Sequence, residues 1–439
     1  MRRTAIASAA IALLTAVTFT GTVVAPSGAA ASSTDLPSLG SDFLWGTATA
    51  GFQSEGYSPD SNWSRYAAGN AKYDPVGTSV DFLHRYASDI ALAKGLGVKV
   101  FRFSVEWARV EPSPGHQDPA AWAFYDNVVA AIKAAGMRPM ITLDHWVYPG
   151  WEVDKGGWAR AGMVDDWLTE AKRVVDRYAS ADPLWVTINE PFAYWLKESQ
   201  NGGLNPLLLP VFMNRLVQAH NGIYDYIHAH QPGAMVTSNV AYIPTAETLI
   251  DTLFLDRVKT RMDFVGVDYY YPVALTDPSG LNAFTGQFWK ASLAPEGIYY
   301  VLQHYARQFP TKPLYVVENG MPTDNGLPRA DGWDRADDLR DTVYWLQRAK
   351  ADGINVIGYN YWSLTDNYEW GSYEPRFGLY TVDVLHDPTL TRVPTDAVAA
   401  YQAITAANGV PAGYTPTRAP QFCSLVDFLS SCLDPVRVP

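Results

Sequence analysis

The chain has 439 residues, 48% of them apolar, and a formal charge of −12. This composition provides a large core and excludes a disordered chain, and the acidic balance without Lys/Arg runs argues against nucleic-acid binding. Aromatic residues make up 13%, with 15 Trp and 26 Tyr, enough both for core packing and for a carbohydrate site, where sugar C–H faces stack on flat rings.

At the N-terminus, Arg2 and Arg3 precede an apolar, small-residue stretch, and Ala29-Ala30-Ala31 offers an A-x-A cleavage pattern. Residues 1–31 therefore read as a secretory signal peptide cut near Ala31, so the mature protein is expected outside the cell. The arginine pair leaves both the general and the twin-arginine export routes open. Gly, Ser, Thr and Pro26 dilute the stretch too far for a good membrane span. A short linker, 32–41, follows.

From residue 42 to 410, strand-like runs fall at 43–48, 98–105, 139–143, 184–189, 234–239, 263–270, 314–317 and 356–362. Helical periodicities at 120–135, 163–179 and 339–351 lie between them. Eight strands alternating with helices, with no interior linker, predict an α/β fold: one (β/α)8 barrel with its active site at the C-terminal ends of the strands. Cys423 and Cys432, the two cysteines of the chain, are expected to pair within a turn-rich tail, 411–439. No Cys/His cluster has zinc-like spacing, so no metal and no cofactor are expected.

Two of the strands run directly into a glutamate. Thr187-Ile-Asn-Glu190-Pro191 closes the fourth, and Val317-Glu318-Asn319-Gly320 closes the seventh. Across an eight-stranded mouth these carboxylates can face one another at about 5 Å, the spacing that a retaining glycosidase uses. Asn189-Glu190-Pro191 could instead be no more than a helix N-cap.

The two segments resemble the catalytic signatures of glycoside hydrolase family 1, the β-glucosidase family. The likeness extends to Phe43-Leu-Trp-Gly-Thr-Ala-Thr-Ala-Gly-Phe-Gln53-Ser-Glu55, to Phe101-Arg102-Phe-Ser-Val-Glu-Trp107-Ala-Arg109, and to Thr142-Leu-Asp-His145-Trp146 with Gly156-Gly-Trp158. It extends also to Tyr361-Trp362-Ser-Leu-Thr-Asp366-Asn367-Tyr-Glu369-Trp370 with Arg376-Phe-Gly-Leu379. The resemblance implies Glu318 as nucleophile and Glu190 as acid and then base. Arg102 and Tyr270 would support the nucleophile, and Asn189 would bind the sugar 2-hydroxyl. Gln53, His145, Trp146, Trp362, Glu369 and Trp370 would hold the sugar, with Trp362 as stacking floor. An anionic Glu369 would disfavour a 6-phosphorylated sugar.

Two departures stand out. The family commonly has Asn-Tyr-Tyr where this chain has Asp268-Tyr269-Tyr270, and the extra carboxylate is expected to shift the pH profile or alter leaving-group contacts. Segment 192–210 is short, as is the loop before Tyr361, which predicts an open aglycone side. The expected activity is retaining exo-β-glucosidase on a small β-glycoside or oligosaccharide, without nucleic-acid or membrane partners. Transglycosylation, β-galactosidase or β-fucosidase specificity, and a non-catalytic sugar-binding role are the alternatives.

Overall fold

The computed structural model describes residues 36–274 and 277–438, so the expected signal peptide and its cleavage site lie outside the described residues. Eight parallel strands form the centre: β1 (Leu44–Ala48), β2 (Val100–Ser104), β3 (Arg138–Asp144), β4 (Leu184–Ile188), β5 (Met235–Thr237), β6 (Val265–Asp268), β7 (Leu314–Asn319) and β8 (Val356–Trp362). They pair in the order β5-β4-β3-β2-β1-β8-β7-β6. Thr237 pairs with β4, and three residues on, Val240–Ala241 pairs with Val267 and Asp268 of β6. One broken strand thus touches both ends of the sheet and closes it into a barrel.

Alternation along the strands fills that barrel. Val100, Met140, Leu184, Val186, Tyr315 and Val317 form a fully buried apolar plug. Arg102 lies two residues beyond Val100 and so shares its face of the strand, with its guanidinium above the plug at the mouth. The outward residues pack under helices in a second, larger core. Helix α1 (Phe82–Gly95) follows β1. Helix α2 (Pro119–Ala134) follows β2, started by Pro119 and by Asp118, whose carboxylate accepts from the N–H groups of Ala120 and Ala121. After β3 comes α3 (Met163–Tyr178), and after β4 come α4 (Pro191–Asn201) and α5 (Leu209–His230). The barrel continues with α6 (Gly297–Gln308), α7 (Arg335–Ala351) and α8 (Asp396–Ala407).

The elements differ from the expected spans where side chains at strand ends have other work. The run at 234–239 leaves the ladder after Thr237, because Ser238 donates to the Ile188 carbonyl and Asn239 turns its amide into the barrel mouth. The run at 263–270 ends as a strand at Asp268, freeing Tyr269 and Tyr270 to reach in different directions. Strand β7 is longer than expected and keeps Glu318 within the ladder. Helix α7 begins four residues before 339: Asp334 caps it through the Asp337 N–H, and the buried Arg335 ties its first turn to the carbonyls of Met321 and Arg376.

The tail runs back over the barrel. The Tyr414 hydroxyl donates to Asp341, the Asp427 N–H donates to the Tyr242 hydroxyl, and the Val436 N–H donates to the Tyr300 hydroxyl. Cys423 and Cys432 are bonded to each other within it. Among the described residues no helix is long and apolar enough to cross a membrane.

Candidate active site

Glu318 is the ladder partner of Asp268 at the C-terminal end of β7. Glu190 lies two residues past β4, in the position that precedes the first turn of α4. Pro191 starts that helix, its fixed φ suiting the first helical position. The Glu190 side chain makes no capping bond, so the N-cap alternative does not account for it. It points into a cavity at the barrel mouth, where one carboxyl oxygen of Glu190, one of Glu318 and one of Asp268 lie within 4.8 Å of one another.

Arg102 binds this group together. Its Nη1 pairs with Glu318, Nη2 donates to Asn189 Oδ1 at 2.6 Å, and Nε donates to Thr142 at 3.0 Å. The Tyr270 hydroxyl donates to the other Glu318 oxygen at 3.0 Å. Asn189 Oδ1 also accepts from the Asn239 amide, which turns the Asn189 Nδ2 toward Glu190 at 3.2 Å. Of the three carboxyls the guanidinium touches only that of Glu318. Arg102→Met would leave Glu318 buried without its counter-charge. Loss of one partner from such a pair costs about 3–5 kcal/mol, expected as a lower urea midpoint at pH 7 with an unchanged m-value.

Electrostatics separate the two glutamates. Burial, and then the charge of Glu318, push the Glu190 carboxyl well above the ordinary range, which suits a group that must carry a proton at neutral pH. Glu318 instead sits against a permanent cation and a hydroxyl donor. His145 is pushed well down by burial and is therefore neutral.

The expected sugar-binding residues converge on one end of the cavity. Glu369 accepts from the Trp362 indole at 3.1 Å and from Gln53 Nε2 at 3.3 Å, and Gln53 donates also to Asn367. Gln53 Oε1 and His145 Nδ1 are buried without a protein partner. Both residues line the cavity. The rings of Trp362 and Trp370 lie within 6.0 Å of His145, both nearly parallel to it. Trp146 contributes only its ring, because its N–H donates to the Asn189 carbonyl at 2.7 Å.

Glu369 differs from the expected anion. Burial pushes its carboxyl up to about 8, so its charge is a weaker barrier to a phosphate than the residue type alone suggests. Lys197, on the second turn of α4, lines the same cavity and interacts electrostatically with Glu369 and Glu190. Sequence reasoning missed Lys197 and Asn239. Neither lies in a recognisable motif; the break in β5 and the winding of α4 bring them to the site. Leu196, Ile243, Phe284 and Phe288 add apolar lining to the same cavity.

Three residues that line the cavity carry backbone strain. Glu190, Trp146 and Trp370 have φ of 39°, 70° and 50°, a left-handed conformation that costs a non-glycine residue about 1–3 kcal/mol in such settings.

The sequence profile of glycosyl hydrolase family 1 matches residues 36–242 and 250–410. A chloroplastic galactolipid galactosyltransferase of Arabidopsis thaliana is 29% identical over 340 residues, covering 68% of this chain but only 54% of that protein. Beta-glucosidase A of Thermotoga maritima is 26% identical over 447 residues, covering 84% of this chain and 98% of its own length. Among solved structures, the β-glucosidase from Thermotoga maritima in complex with deoxynojirimycin superposes with a TM-score of 0.72 at 24% identity, over 85% of this chain and all of that one. At that identity the superposition speaks for the fold.

Proposed function

With the chain a member of glycosyl hydrolase family 1, and so a glycoside hydrolase, we propose that it is a retaining exo-β-glycosidase acting on terminal β-D-glucosyl residues. The observation that carries this reading is the approach of Glu190 and Glu318 to within 4.8 Å at the mouth of one cavity. That spacing leaves no room for a water between nucleophile and sugar and fits the double-displacement geometry, not the wider inverting one.

In the first step Glu318, held by Arg102 and Tyr270, attacks the anomeric carbon while Glu190 gives its proton to the departing oxygen. Esterification removes the Glu318 charge, and with it one cause of the high proton affinity of Glu190. Glu190 can then act as base and draw a proton from the water that cleaves the ester. Asn189 is oriented from two sides to meet the sugar 2-hydroxyl, a contact that tightens in the oxocarbenium-like transition state. Gln53, His145, Trp362, Glu369 and Trp370 bind the glycone. A pocket of unpaired polar atoms discriminates by hydroxyl pattern, since a sugar lacking one hydroxyl leaves a buried group unsatisfied.

A panel of nitrophenyl glycosides, with the first product resolved by anomer in NMR, tests this. The β-glucoside is expected to be turned over best and to release β-glucose first; α-glucose first, or galactoside or fucoside as the best substrate, would overturn the assignment. The apolar lining from Leu196, Ile243, Phe284 and Phe288 supports a second reading, in which the covalent intermediate passes to an organic acceptor. Product ratios at high acceptor concentration separate the two. We also infer that the protein is exported and that the Cys423–Cys432 bond forms there; the N-terminal pattern and the cysteine pair support this.

A further inference from the structure

Asp268 ends β6 beside the nucleophile, as the ladder partner of Glu318. It is 1% exposed, yet it lines the cavity. Its two oxygens are used unequally. Oδ2 accepts from the Asn239 amide, and Oδ1 is buried with no partner. The charged and titratable groups around it are Glu318 from β7, Glu190 from the end of β4, Arg102 from β2 and Tyr270 just past its own strand. Farther along the same cavity stand His145, Lys197 and Glu369.

The charges do not balance if all three carboxyls ionise. Arg102 offsets one of them, its partner Glu318. Two further buried carboxylates would have no cation in contact, Lys197 being the more distant one in the cavity, and buried groups take up protons before accepting that state. The resting centre therefore holds two protons, where a simple glutamate pair holds one. Because Oδ2 is an acceptor, the additional proton sits on Oδ1. Burial, with the charges of Glu318 and Glu190, pushes Asp268 well above the ordinary carboxylate range, in the direction this balance requires.

We propose that Asp268 is a positioning residue for Glu190 that shares a proton with it, keeping the general acid protonated to a higher pH than two carboxyls alone would allow. The inference rests on the acid/base reading of Glu190. Coupled carboxyls titrate as a set, and the apparent steps belong to the set rather than to one member. As pH rises, the next proton leaves from Asp268 in some molecules and from Glu190 in others. Wherever Asp268 has ionised, Glu190 remains able to protonate the leaving group. Without Asp268, the whole loss falls on Glu190.

Asp268→Asn keeps the size and the acceptor for Asn239 but cannot titrate. In this variant the alkaline limb of kcat/KM for 4-nitrophenyl β-glucoside is expected about half a pH unit or more below that of the wild type, with activity at the optimum retained within about tenfold. The infrared difference between wild type and variant at neutral pH is expected to contain a protonated-carboxyl band. An unchanged limb, or no such band, would overturn the proposal. If the asparagine variant does not fold, Asp268→Ser, whose hydroxyl can also accept from Asn239, is read in the same two ways. A wild type that does not turn over the glucoside would refute the parent reading; an active wild type whose limb the variants share would refute this one alone.

Discussion

Glu318→Gly is expected to lower kcat for every β-glycoside by about 10⁴-fold or more, a loss of roughly 5 kcal/mol in transition-state stabilisation. The substitution removes the group placed to attack the anomeric carbon from the side opposite the leaving group, while Glu190, Arg102 and the sugar-binding residues stay in place. External azide should then occupy the space of the missing carboxylate and react directly with an activated aryl glucoside. A single displacement gives the α-glucosyl azide, of inverted configuration, and NMR of the product identifies it. A β-azide from this variant would mean that another residue forms the covalent bond. Circular dichroism at matched concentration checks that the barrel is intact.

Glu190→Ala is expected to have an uneven effect. For glycosides with alkyl or sugar leaving groups, proton donation is worth about 10²–10⁴-fold, and most of it should vanish. For 2,4-dinitrophenyl glucoside, whose leaving group departs without a proton, the first step should hardly change. The ester then accumulates, seen as a burst of phenolate followed by slow turnover. The wild-type kcat/KM should fall as pH rises through the raised pKa of Glu190, because the acid form is the active one. In the variant that alkaline limb should flatten. Equal losses on both substrate classes would put the acid/base assignment on the wrong residue.

Much of this centre could be read from the sequence, since strand ends and motifs lie close together along the chain. Glu190 and Glu318 each end a β-branched run, and Arg102, His145 and Trp362 lie on or just past strands whose period was visible. The helices around them were legible to within a residue or two at 120–135 and 163–179. Features that depend on long-range closure were not legible. The break in β5 has no local cause: the Ser238 hydroxyl and the Asn239 amide find their partners on β4 and β6. The raised carboxyl of Glu369 was not legible either, because burial is a property of the assembled cavity, and residue type alone suggests an anion. Asp268 was visible as an unusual residue, but only the ladder register sets it beside Glu318.

The left-handed turns at Trp146, Glu190 and Trp370 bear on the portability of this centre. None of the three is a residue that would adopt such a turn in a short peptide. Each is held there from elsewhere: Glu190 by the bond of its N–H to the Asn239 carbonyl, Trp146 by its bond to Asn189 and its stacking on Trp370, and Trp370 by Phe52 and Trp63. Loops cut from this protein and grafted onto another scaffold would relax and carry the acid groups away with them. The unit that can be transplanted is the whole closed ring, and engineering for altered specificity should begin at the apolar wall, where Phe284 and Phe288 lie in regions of ordinary backbone.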